Sequence, residues 1–91
     1  MLLKTSKETL KAFLDTCSDC EEIAPGEYVA DLYDTDKPMT LDLLFTKDGV
    51  EVLAAAYLLY DEEQDGWYMG EQTENVDEID AALDEAMKAN V

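Results

Sequence analysis

Residues 39–60 read Met-Thr-Leu-Asp-Leu-Leu-Phe-Thr-Lys-Asp-Gly-Val-Glu-Val-Leu-Ala-Ala-Ala-Tyr-Leu-Leu-Tyr, and their alternation decides the fold. Met39, Leu41, Leu43 and Phe45 interleave with Thr40, Asp42, Leu44 and Thr46, the period of two that puts successive side chains on opposite faces of a strand. Asp48-Gly49 is a two-residue hairpin signal leading into a second strand, Val50 to Tyr60, that is apolar on both faces. Continued alternation would send Val50, Val52, Ala54, Ala56 and Leu58 one way and Leu53, Ala55, Tyr57 and Leu59 the other.

Further strands flank this hairpin. Upstream, Pro25-Gly26 breaks the chain before Glu27 to Asp34, a run rich in aromatic and β-branched residues. Downstream, Asp61 to Gly66 is a polar turn and Trp67 to Gln72 a shorter strand. Helices bound the chain. Thr5-Ser6-Lys7-Glu8 has the form of a capping box, followed by Leu10, Phe13, Leu14 and Cys17 at helical spacing, predicting a helix over 5–18. Asn75 with Glu78 marks a second helix start, and Val76, Ile79, Leu83, Ala86 and Met87 form its apolar stripe.

The expected fold is a small single α+β domain over residues 1–91, α-β-β-β-β-α, with a four-stranded antiparallel sheet packed by two helices. If both helices take the same side, Leu44, Leu53, Tyr57, Leu59 and Tyr33 or Tyr68 are left on an uncovered apolar face that a homodimer or a protein partner would cover. If they take opposite sides, one monomer buries both faces.

Charge is the second decisive feature. The chain has 23 carboxylates against 6 lysines, with no Arg and no His, for a net charge of −17. Residues 48–87 hold 13 carboxylates and no base, whereas residues 1–20 balance to zero. Such a field attracts basic partners and repels nucleic acid and anionic lipid. The chain has no bidentate guanidinium and no group of near-neutral intrinsic pKa.

Little chemistry is supported. Cys17-Ser18-Asp19-Cys20 is half a zinc knuckle without its other two ligands, and as a redox pair it ends a helix where the dipole disfavours a thiolate. Cys17 reads as a small core residue and Cys20 as the helix exit. The acids of Asp61-Glu62-Glu63-Gln64-Asp65-Gly66 partly match a calcium loop, but its twelfth position is Gln72 and strands flank it. No carboxylate pair is marked as buried for acid-base work, and neither Ser6 nor Ser18 has triad partners or a carrier-protein setting. No enzyme activity, cofactor or metal is expected. No apolar run reaches the roughly 18 residues that span a bilayer, and the start lacks the pattern of a cleaved signal; the cytoplasm, of a host cell if the gene is phage-borne, is the expected location.

These features point to a non-enzymatic inhibitor that binds a basic, nucleic-acid-binding protein surface by imitating nucleic-acid charge. In character and size the surface resembles the small acidic inhibitors that phages and mobile elements deploy against CRISPR complexes and restriction enzymes, although no motif of such a family is matched. The candidate partner-binding residues are Asp61, Glu62, Glu63 and Asp65 with the neighbouring Trp67 and Tyr68, then Glu74, Asp77, Glu78, Asp80, Asp84 and Glu85, the last six read as an outward arc on the second helix. Converting Asp77, Asp80 and Asp84 to Asn is expected to leave the fold intact and abolish binding. An immunity protein or antitoxin neutralising a basic nuclease is one alternative. A homodimeric accessory protein with a halophile-like surface is another.

Overall fold

The computed structural model describes residues 2–89. Helix α1 (Lys7–Thr16) precedes strands β1 (Cys20–Ala24), β2 (Glu27–Leu32), β3 (Met39–Thr46), β4 (Gly49–Asp61) and β5 (Gly66–Gln72), and α2 (Val76–Ala89) ends the fold. The strands form one antiparallel meander in the order β1-β2-β3-β4-β5. The sheet therefore has five strands where the sequence predicts four. The added strand is β1, which pairs with β2 across a two-residue Pro25–Gly26 loop. Gly26, at φ +79, supplies the left-handed conformation that follows proline in a type II turn.

The β3–β4 turn also differs from expectation. Thr46 pairs with Gly49, so the loop is Lys47–Asp48, and Gly49 takes φ +144 as the first residue of β4. The Thr46 hydroxyl accepts from the Asp48 amide and donates to the Gly49 carbonyl, which closes the turn.

The largest departure lies inside β4. Leu43 pairs with Val52 and Asp42 with Ala54, so Leu53 is an extra residue, a β-bulge that reverses the alternation beyond it. Val50, Val52, Ala55 and Tyr57 consequently share the core face with Met39, Leu41 and Leu43, while Ala54, Ala56, Leu58 and Tyr60 point away. A second register shift lies between β4 and β5, where Ala56 pairs with Gln72 but Leu58 with Met69.

Both helices pack on that one core face. Leu10, Phe13 and Leu14 of α1 and Ile79, Ala82, Leu83 and Ala86 of α2 join Tyr28, Ala30, Leu32, Met39, Leu41, Leu43, Val50 and Val52 in a single cluster. Ser6, rather than Thr5, caps α1 by accepting from the Thr9 amide, and Asn75 caps α2 by accepting from the amides of Asp77 and Glu78. Cys17 and Cys20 are free and half-buried against the core. Cys20 lies on β1 rather than at the helix exit, and its thiol is pushed well up by burial and by Cys17.

The N-terminal segment is tied to α2. Leu3 is buried and donates its amide to Val50. Asp80 then accepts from the amides of Lys4 and Thr5 and from the Thr5 hydroxyl at 3.0, 3.3 and 2.9 Å. These bonds to a charged acceptor give Asp80 a structural role, so the triple Asn replacement also alters a tether. Asp80→Ala should lower unfolding free energy by about 2 kcal/mol, with Asp80→Asn losing less, because it keeps one acceptor. Urea denaturation checks this, and an Ala variant as stable as the parent would refute the tether.

Candidate protein-binding face

With both helices on one side, the opposite face of the sheet is left uncovered. No strand contains a lysine, yet the five strands carry eight carboxylates: Glu21, Glu22, Glu27, Asp31, Asp42, Glu51, Asp61 and Glu71. The lysines lie in the N-terminal segment, the helices and two loops. Four of them form ion pairs with helix carboxylates: Lys4 with Asp77 (2.8 Å), Lys11 with Asp15 (2.9 Å), Lys37 with Glu78 (2.6 Å) and Lys88 with Asp84 (3.0 Å). The cations thus gather on the helix side. Of the strand carboxylates, the register places Glu21, Glu27, Asp31, Asp42 and Glu51 on the uncovered face, while Glu22 and Asp61 fall on the helix side.

This partition divides the sequence-derived candidates. On α2, Asp77 and Asp84 stay exposed but paired, Asp80 holds the N-terminal segment, and Glu85 accepts from the Asp36 amide at 2.8 Å. Glu78 is the most constrained, bonded to Lys37 and to the Tyr57 hydroxyl at 2.5 Å. Its carboxyl is held below the usual range first by Lys37 and then by Tyr57. Three of the six lysines therefore serve the carboxylates of α2, so half of the six acids read as the outward arc are paired from within, and Glu74 lies ahead of the helix rather than on it.

The β4–β5 turn keeps more of its charge. Asp61 accepts from the amides of Glu63 and Gln64, an Asx turn, and Asp65 takes φ 51 while accepting from the Tyr60 hydroxyl. Glu62 and Glu63 are exposed at the tip. The loop joins paired strands, and among the described residues no three Cys, Asp or Glu gather as metal ligands.

Trp67 and Tyr68 separate onto opposite faces. Trp67 pairs with Tyr60 on the uncovered face, whereas Tyr68 pairs with Leu59 on the other. Trp67 packs against Tyr33 (ring centroids 5.1 Å) and edge-on against Tyr60 (5.3 Å). Met69, 65% exposed, extends the apolar zone along β5. Tyr57, expected on the uncovered face, is instead on the helix side, bonded to α2; the bulge at Leu53 moved it there.

Sequence reasoning missed a pair at the other end of the face. Glu27 and Asp42 stand diagonally across β2 and β3, since Val29 pairs with Asp42 and Glu27 with Leu44. The hydrogen bond to Asp42, burial, and repulsion from the same carboxylate hold the Glu27 carboxyl above the usual range. The buried Oδ1 of Asp42 has no donor. Both residues sit at outward positions of alternating strands, but only the strand register shows that they meet.

The sign of the pH effect follows. A carboxyl whose pKa is raised by folding binds its proton more tightly in the native state, so stability falls as pH rises from the ordinary glutamate pKa through the raised one. Glu27→Gln should therefore raise the melting temperature at pH 7, with the gain vanishing near pH 4. Glu78, whose pKa is lowered, acts oppositely: its contribution is present at neutral pH and fades as pH falls through the depressed value. Thermal melts of Glu27→Gln across that range decide the point, and a variant less stable than the parent at pH 7 would contradict it.

Compared with protein-family models, curated proteins and solved structures, the chain matches none.

Proposed function

We propose that this protein is a non-enzymatic inhibitor that docks on a basic, nucleic-acid-binding protein surface and excludes the nucleic acid from it. The observation that carries this reading is the segregation of charge. Four lysines pair with helix carboxylates, and a sheet face free of strand cations carries the Glu27–Asp42 pair at one end and Tyr33, Tyr60, Trp67 and Met69 toward the other. A groove that binds nucleic acid is lined with Lys and Arg to meet a dense row of phosphates. A rigid sheet bearing carboxylates can occupy such a groove, with aromatic side chains adding contact that phosphates do not provide.

Neutralisation of a basic toxin, as by an immunity protein, draws on the same field and the same aromatics. The two readings differ in what is displaced. An inhibitor of nucleic-acid machinery should release bound DNA or RNA from its target in proportion to its own binding. Its affinity should fall roughly tenfold or more between 50 and 200 mM salt. Fluorescence anisotropy of labelled duplex on CRISPR and restriction nucleases, titrated with this protein, measures both. Binding that leaves the duplex in place, or that ignores salt, would reject the proposal.

A further inference from the structure

The bulge at Leu53 and the small residues after it leave two shallow depressions on and beside the uncovered face. One, of about 240 Å³, is lined by Val29, Thr40, Asp42, Ala54, Ala56 and Met69 among others. The second, of about 510 Å³, is lined by Leu53, Ala54, Gln72 and Glu74 among others. Both include Ala54, Ala55 and Gln72 in their walls, so the two depressions adjoin and are treated together as a furrow across the strands. Its floor is largely alanine, with Asp42 at one end and Glu74 at the other.

We infer that this furrow is the docking site for an extended segment of a basic protein in which Arg or Lys alternates with apolar residues. The inference rests on the charge reading above and names the surface responsible. Charge complementarity selects the occupant. The Glu27–Asp42 pair brings two carboxyls together diagonally across β2 and β3, close enough that each disfavours the other's charge. A guanidinium docked beside the pair relieves the repulsion, which a neutral side chain cannot do. Apolar side chains between the cations fit over Ala54, Ala56 and Met69, and a second cation reaches Glu74.

A second copy is a poor occupant. Two such faces brought together would oppose Glu27, Asp31 and Asp42 to their own counterparts, on chains of −17 each.

The test uses NMR titration of the isotopically labelled protein with two synthetic peptides of equal length, one alternating arginine with leucine and one arginine with serine. The arginine-leucine peptide should bind more tightly. It should shift the amides of Val29, Thr40, Asp42, Ala54, Ala56 and Met69. Glu27→Gln combined with Asp42→Asn should weaken it on the order of 30-fold without lowering the melting temperature, and Ala54→Lys, at an exposed position, should weaken it as well. Asp84→Asn on α2 should change little. If neither peptide binds, the charge reading and this inference both fall. If they bind but shift α2 or the β4–β5 turn and leave the furrow unmoved, this inference alone falls. Sedimentation showing a dimer that protects the furrow amides would also overturn it.

Discussion

Leu83→Ala is expected to lower the unfolding free energy by about 3–4 kcal/mol, the usual cost of emptying a fully buried leucine site. Leu83 is completely buried in the one cluster that joins both helices to the sheet, beside Ile79, Ala82 and Ala86 of the same helix. Two features make the loss severe here. A domain of this size has a total stability of only about 5–15 kcal/mol, and 17 uncompensated charges repel one another in the folded state more than in the expanded one. The variant should therefore be partly unfolded at low ionic strength and recover as salt shortens the screening length. Urea denaturation at low and high salt measures both effects. A loss below about 1 kcal/mol would mean that α2 is not an integral wall of the core.

The elements legible in the sequence were those whose signals are local. Both helices were marked by capping residues and apolar spacing, and Asn75 caps α2 where expected. Strand β1 was not legible, because Cys-Glu-Glu-Ile-Ala has no alternation and four of its five residues are exposed. It exists because Pro25–Gly26 is a turn and β2 supplies its hydrogen bonds. The turn residues were visible, and taking them as a hairpin rather than a break would have recovered the strand. The bulge at Leu53 left no such trace. Residues Val50 to Leu59 are apolar at every position but Glu51, so no polar residue marked where the alternation slipped. Every face assignment beyond Leu53 was thereby reversed.

The pairing of the α2 carboxylates was not legible for a related reason. The carboxylates of α2 are dense in the sequence and look unopposed, since residues 48–87 hold no base. Their cations come from far along the chain, Lys4 lying 73 residues from Asp77 and Lys37 lying 41 from Glu78. No window of sequence brings these together; the fold does, by laying the N-terminal segment and the β2–β3 loop beside α2. Conversely, the strand carboxylates look unremarkable in sequence, because single acids at outward strand positions are common. Their significance comes from the register, which gathers five of them, Glu21, Glu27, Asp31, Asp42 and Glu51, on one face that no lysine-bearing strand borders.

Trp67→Ala should separate the aromatic contribution from the ionic one. Trp67 stands on the uncovered face two residues from Met69, is 44% exposed, and is held between Tyr33 and Tyr60. A ring already fixed by its neighbours loses little freedom on binding, and large aromatics at the centre of an interface carry a disproportionate share of its energy. Under the proposed function, affinity for the basic target should drop by about 2–4 kcal/mol, or roughly 30- to 1,000-fold. Stability should change by only about 1 kcal/mol, reflecting the two lost ring contacts. Unlike the effect of the Glu27 and Asp42 replacements, this loss should persist at high salt, because burial of apolar area is not screened. Tyr68→Ala provides the internal comparison: Tyr68 is equally prominent in the sequence and 51% exposed, but the register places it on the other face, beside Leu59. Calorimetric titration of both variants into the same target at two ionic strengths distinguishes the cases. Equal losses for Trp67→Ala and Tyr68→Ala would place the contact at the end of the β4–β5 hairpin rather than on the sheet face, and no loss for either would leave charge alone as the basis of recognition.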